Sequence, residues 1–385
     1  MQKVGIISLC YRSWNFGGAL QGYALCRALD KFHVSGEQMV FNQMPPVETG
    51  ETWKKRLWLM LHSFPGTKKV IDLYHERTRA QDPTMKNHKR FSRRVPHSRY
   101  LGTPKALRES AKEYDAFIVG SDQVWNPQYF GDELLRRVFG LQFAQPSKRK
   151  LSYAASIGSE QAAVGKEDLF REMLAGLDFI SVRERAARDF LQPLTDKPVA
   201  VVLDPTLLLS REEWEKIAAG PGREPPHLFA YFLHERDNRH DEQLHQIAGA
   251  LDLTLRCIAD ERERYLRPET EDKQILDAGP QEFLGEIRDA EMVFTNSFHG
   301  VVFSVLFHKP FWVFKRNRDG DKGSMNARVT DFLSDFGLSD RLLEDGEAPS
   351  LEKLRTPIDY DAVDRVLEEK RAFSLNWLKT ALEGV

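Results

Sequence analysis

Six short segments concentrate side chains able to do chemistry. In Val119-Gly-Ser-Asp-Gln-Val-Trp-Asn-Pro127, five polar or aromatic groups fall between Ser121 and Asn126. Asp122 can accept a proton or hold a sugar hydroxyl, and Trp125 offers an apolar platform. A helix cap by Ser121 or Asp122 would need one such group rather than five, so Gly120, Ser121, Asp122 and Trp125 are expected at a ligand. Phe294-Thr-Asn-Ser-Phe-His-Gly-Val301 places Asn296, Ser297, His299 and Gly300 ahead of an apolar run. His299 falls in a first helical turn, where the dipole opposes positive charge unless a bound phosphate reverses the balance. Arg183, in Ser181-Val-Arg-Glu184, stands at a strand end, where it would meet an anion or pair with Glu184 or Asp178; Ser156-Ile-Gly-Ser159 has similar placement. Lys315, Arg316 and Arg318 follow another apolar run and Arg328 opens the next helix, a cationic rim for a multiply charged ligand. In Asn15-Phe-Gly-Gly-Ala-Leu-Gln21, Gly17 and Gly18 let backbone approach a ligand or simply make a tight turn, and Asn15 and Gln21 flank them. The spacing is not GxGxxG, which argues against a nicotinamide cofactor.

The elements that position these segments are read from apolar runs. Strands are expected at 4–9, 116–119, 151–155, 179–182 and 199–203, and again at 228–233, 254–258, 292–295 and 311–314. The runs are continuous rather than alternating, as parallel strands buried on both faces require. Helical periodicity occupies 19–32, 167–176, 184–191, 241–251, 281–290, 300–307 and 326–336. The repeated order of strand then helix predicts an α/β chain of two Rossmann-like, doubly wound domains. The first is expected over 1–195 and the second over 196–358, with a long helix in 359–385 folding back across the first domain.

At 385 residues, with 41% apolar and 29% charged side chains, the chain is long enough for two globular domains. Its 55 Lys and Arg face 57 Asp and Glu, which disfavours a nucleic-acid binder. Cys10, Cys26 and Cys257 form no CxxC and no even framework, so a reducing, cytoplasmic setting is expected. The short N-terminal apolar run reads as a buried strand rather than a signal peptide, and no run is long enough to span a bilayer. No histidine or cysteine cluster has ligand spacing, so no metal and no cofactor are expected. Residues 53–99 break the pattern, with 13 Lys and Arg against Asp72, Glu76 and Asp82. Such a net +10 insertion is either a solvated basic face or an amphipathic patch for anionic lipid or a phosphorylated acceptor.

In this order, VGIISL, NFGGALQGYAL, VGSDQVWNP, SYAASIGS, SVRE, VLDPTLLL, FTNSFHGVVFSVLF and NARVTDFLSDFGL resemble the polysaccharide pyruvyl transferase family. The resemblance implies a GT-B-like fold and transfer of a pyruvyl group from phosphoenolpyruvate to sugar hydroxyls of a cell-surface polysaccharide or its precursor, giving a ketal. It implies that His299 and Arg183 meet the donor, and that Asp122 and the 15–21 loop lie on the opposite wall. Many relatives carry arginine two residues before the histidine. Ser297 stands there, so the positive charge must come from Lys315, Arg316 or Arg328. His299 would be the acid or a phosphate-stabilising cation, and Asp122 the base or hydroxyl orienter. The acceptor saccharide of such a family is often lipid-linked, which would bring the protein to the inner face of a membrane. The alternatives are a nucleotide-sugar glycosyltransferase on the same fold, needing a base-and-ribose pocket, and a non-catalytic polysaccharide-binding protein.

Overall fold

The continuous apolar runs become parallel strands because their side chains are covered on both faces. In the computed structural model, residues 2–10, 15–41, 83–101, 103–220, 225–233, 240–258, 273–316, 326–344, 347 and 349–384 are described, with backbone alone for 83–85. Strands β1 (Lys3–Ile7), β2 (Ser35–Gln38), β3 (Ala116–Val119) and β4 (Arg149–Ser152) form a sheet in the order β2-β1-β3-β4. Single bridges from Leu151 to Phe179 and from Ala155 to Val182 carry this layer into the pair β5 (Ile180–Val182) and β6 (Val199–Val201). The first layer therefore continues past residue 195.

The second sheet contains β7 (His227–Tyr231), β8 (Thr254–Ile258), β9 (Lys273–Ile275), β10 (Met292–Thr295), β11 (Phe311–Phe314) and β12 (Leu342–Leu343). Its order is β12-β11-β10-β7-β8-β9, and every pairing is parallel. Read from the β9 edge, this is the 3-2-1-4-5-6 order of a doubly wound sheet, with its switch point between β7 and β10. The equivalent reversal in the first sheet lies between β1 and β3. Ligands of such sheets sit beyond the strand carboxyl ends at these points. The loops leaving β1, β3 and β10 carry three of the chemically rich segments.

Six helices matter to the site: α1 (Phe16–Asp30), α2 (Pro83–Ser92), α3 (Pro280–Asp289), α4 (Phe298–Leu306), α5 (Ala327–Asp335) and α6 (Tyr360–Leu382). α1 begins three residues earlier than its apolar periodicity does, because Asn15 caps it: Gly17 N–H donates to Asn15 Oδ1 at 2.9 Å. α4 likewise begins early, capped by Ser297, whose Oγ accepts from Gly300 N–H at 3.3 Å. The 23-residue α6 starts against the second domain, where Tyr360 Oη donates to Lys309 O at 2.5 Å. It then crosses to the first, as expected: Leu203 N–H donates to Ser374 Oγ at 2.9 Å, and Arg149 Nη1 to Ala381 O at 3.2 Å.

Most of the basic insertion, 53–82, lies outside the described residues. Its end forms α2, one face of which packs against both domains while Lys86, Lys89 and Arg90 remain exposed. Phe91 is fully buried, His88 stacks on Phe16 at 5.2 Å, and Arg90 pairs with Glu282 of α3. Among the described residues, no helix is long and apolar enough to cross a membrane.

Candidate active site

The two switch points face each other across the cleft. From the first domain, Asn15 at the start of α1 and Asp122 beyond β3 enter the pocket. From the second come Asn296, Ser297, Phe298 and His299 beyond β10, Lys315 and Arg316 beyond β11, and Arg328 on α5. Together they border about 550 Å³. The expected rim, Asp122 and the histidine turn thus converge.

Asp122 is held in an unusual backbone state. Its φ is +72°, the left-handed region that non-glycine residues seldom occupy, and such strain collects at functional sites. Backbone bonds fix it: Asp122 O accepts from Val124 N–H at 2.8 Å and from Ser156 N–H at 3.0 Å. The residue is 5% exposed, yet its carboxylate lines the pocket and has no hydrogen-bond partner among the described residues. A carboxylate so placed can orient or deprotonate a hydroxyl.

His299 lies in the first turn of α4, wedged between domains. One edge of its ring packs on Gly17, where a Cβ would overlap Nδ1, Cε1 and Cγ. Glycine is thus required by close approach at this position. On the other edge, Nε2 lies 3.7 Å from Asp204 Oδ2. Asn296 holds the preceding turn: its Oδ1 accepts from Leu233 N–H at 2.7 Å and its Nδ2 donates to Leu233 O at 3.2 Å. Gly300 packs on the Thr295 side chain, whose hydroxyl donates to Tyr231 O at 2.6 Å.

Asp204 is a buried hub that the sequence pattern does not single out, although the VLDPTLLL segment carries it. Its Oδ2 accepts from Arg183 Nη1 at 2.7 Å and from Ser121 Oγ at 2.8 Å. Its Oδ1 accepts from Thr206 Oγ1 at 2.6 Å and Thr206 N–H at 3.0 Å. Burial alone would raise its carboxyl. His299, Arg183 and the Thr206 hydroxyl override that and hold it well below the usual carboxylate range. The available signal is Asp-Pro ending an apolar run, since the residue before proline leaves the helical region and the aspartate can cap the next turn.

Arg183 is not in the same pocket as His299. It lies behind Phe298, with its guanidinium 4.2 Å over that ring, paired to Asp204 and reaching Glu184 Oε1 at 3.4 Å. Burial opposes its charge, but Glu184, Asp204 and Asp122 raise its pKa above the ordinary value. It borders a second space of about 870 Å³ between α5 and α6. Phe298 and Arg328 line both spaces and form the partition.

Trp125, Gln21, Gly120 and Ser121 serve the scaffold, whereas Lys315 and Arg316 stay on the pocket wall. Trp125 is fully buried and its indole N–H donates to Phe139 O at 3.0 Å, so it offers no platform to a ligand. Gln21 is buried within α1, where Nε2 donates to Gly18 O at 3.0 Å. Gly120 packs beside Ser8, and Ser121 reaches Asp204 rather than the pocket. Lys315 pairs with Glu344 at 2.6 Å, while Arg316 N–H donates to Asn326 Oδ1 at 3.1 Å. Arg318 lies outside the described residues. Among the described residues, no three His, Cys, Asp or Glu side chains converge as metal ligands.

The two parallel sheets, their facing switch points and the returning helix define a two-domain, Rossmann-like protein of GT-B architecture. Solved structures agree over nearly the whole chain. Neisseria meningitidis UDP-GlcNAc 2-epimerase bound to UDP-GlcNAc is 9% identical, with 96% of this chain and 99% of that chain covered and a TM-score of 0.50. Staphylococcus aureus MnaA with UDP is 12% identical, covering 98% and 91%, also at 0.50. At these identities the likeness is one of fold. The sequence profile of the polysaccharide pyruvyl transferase family matches residues 15–318, and the chain belongs to that family. No curated protein sequence matches it.

Proposed function

We propose that the protein moves the pyruvyl group of phosphoenolpyruvate onto two hydroxyls of a saccharide, forming a ketal and releasing phosphate. One observation carries this reading: Asp122, a carboxylate without a hydrogen-bond partner among the described residues, shares a pocket with His299, Arg316 and Arg328. The first suits a hydroxyl acceptor and the second group suits an anionic donor. Family membership supports the transferase class.

The chemistry balances with these groups. A proton from His299 goes to the methylene carbon of the donor, which becomes the methyl group. The first hydroxyl adds to the central carbon as Asp122 accepts its proton. The second hydroxyl displaces the phosphate, so two C–O bonds form and one C–O bond breaks. Two protons leave the hydroxyls, one is consumed at carbon and the other departs on phosphate. The ionised Asp204 at 3.7 Å complements positive charge on the His299 ring. Arg183 acts from behind the partition, holding Asp204 and Phe298 in place.

The acceptor in this reading is a cell-surface polysaccharide precursor. The net +10 of residues 53–99 supports reversible contact with an anionic membrane surface that would bear a lipid-linked form. The test is incubation of candidate saccharides with phosphoenolpyruvate, followed by mass spectrometry and phosphate determination. A gain of one pyruvic acid less one water, with stoichiometric phosphate, is expected. Turnover of nucleotide sugars without phosphoenolpyruvate consumption would replace this reading with glycosyl transfer.

A further inference from the structure

Four arginines are buried among the described residues, and three have conventional partners. Arg183 pairs with Asp204 and Glu184. Arg256 makes a two-pronged contact with Glu286 at 2.8 and 2.6 Å. Arg341 donates to Thr356 O and Pro357 O at 2.9 and 3.0 Å and pairs with Asp340. Arg328 is the exception. It is 8% exposed, its Nε has no hydrogen-bond partner, and no carboxylate of the described residues lies within ion-pair distance.

Its surroundings deepen the deficit. Burial and the neighbouring Arg183 push Arg328 down to about 10, Arg316 adds to the repulsion, and Glu184 and Asp122 offset it only in part. A buried guanidinium without a counter-charge destabilises the ligand-free fold. Hydrophobic packing does not require it there, because α5 already anchors itself through Val329, Phe332 and Leu333. Arg328 instead borders open space on both sides of the partition, together with Phe298. Ser297 and His299, at the start of α4, line the cleft side with it. Free N–H groups of a helix's first turn and a planar guanidinium fork are two donors of the kind that grip one oxyanion.

We propose that Arg328 is the oxyanion receptor of the cleft, gripping a carboxylate or phosphate against the first turn of α4. For an oxyanion in general the receptor stands on this geometry; its application to phosphoenolpyruvate rests on the function proposed for this site. The role is that of a binding residue whose charge is completed by its ligand. That separates it from a structural arginine, whose removal would weaken the empty protein.

The test uses the full chain and three probes: phosphoenolpyruvate, pyruvate and inorganic phosphate, each followed by calorimetric titration and thermal melting. At least one probe should bind the natural protein and raise its melting temperature. Arg328→Met should melt at or above the natural protein when empty, yet lose affinity for that probe by about tenfold or more, the scale of a charge-assisted hydrogen bond. Arg328→Lys keeps a charge and the apolar stem but not the fork, and carries the test if the methionine variant does not fold. It should lose about fivefold or more. Binding within about twofold of the natural protein in both variants overturns the inference, as does failure of the natural protein to bind any probe. If phosphate or pyruvate binds through Arg328 but phosphoenolpyruvate does not, the receptor stands and the donor assignment falls. Undiminished phosphoenolpyruvate binding in both variants leaves the donor and removes the receptor.

Discussion

Gly17 and His299 touch across the domain boundary so closely that no side chain fits between them. The contact joins the first turn of α1 to the first turn of α4, and sets the imidazole against Asp204 on its other edge. A mutation at the glycine therefore acts on the histidine without altering it.

Gly17→Ala should lower kcat by about 100-fold, the usual penalty for misplacing a reacting group by an ångström. The fold should persist, because α1 keeps its cap and its buried face. Steady-state kinetics with circular dichroism checks both. Unchanged kcat would show that His299 moves aside freely.

His299→Ala should reduce turnover by about 10²–10⁴-fold, the scale of general acid catalysis. Phosphate release from phosphoenolpyruvate in the presence of acceptor is the measurement. Near-normal rates would take the imidazole out of the chemistry.

Asp204→Asn should cost about 3–5 kcal/mol at neutral pH, since it leaves Arg183 buried without its nearest counter-charge. The folded carboxyl lies below the unfolded value of 3.8, so its stabilisation is fully present above that value and is lost as pH falls toward the folded one. The gap between the natural protein and the variant, read from urea unfolding, should be constant from pH 7 to about pH 5 and shrink at more acid pH. A gap that widened on acidification would contradict an ionised Asp204.

Arg183→Lys should raise the KM for phosphoenolpyruvate by loosening the partition, with an effect of about 2–3 kcal/mol. The acceptor KM should change less. If only the acceptor constant moved, Phe298 and Arg183 would belong to the saccharide's side of the cleft.

Anionic vesicles should co-sediment with the protein at low salt and release it at high salt, while neutral vesicles should not bind. Changing Lys54, Lys55 and Arg56 together to Glu should abolish this binding and spare turnover on a short soluble acceptor. Equal binding to both vesicle types would remove the membrane role.

Strand positions such as 116–119, 254–258, 292–295 and 311–314 are legible in the sequence because buried parallel strands are uninterrupted apolar runs. β2 is not, since Ser-Gly-Glu-Gln has no apolar residue and is held by pairing with β1 and by Gly36 packing on Leu29. β9 and β12 are short edge strands that leave little pattern. Asp122 and His299 stand out as polar groups at strand ends. Arg183 has the right neighbourhood, but its pairing with Asp204 depends on two loops 21 residues apart meeting in space. Trp125 illustrates the converse: an aromatic in a polar loop can be core, and only packing reveals it.

The ring of Phe16 stacks with His88 of α2 and Phe283 of α3 and tilts against Tyr231 of β7. Around it, one apolar cluster runs from β1 and α1 through α3 and α4 to the end of α6 without a polar break. Doubly wound halves joined by a polar junction would melt as independent units. With a shared interior they lose order together, so calorimetry should record a single endotherm. Neither half produced alone would stay monodisperse, because each would present the other's share of that interior to water.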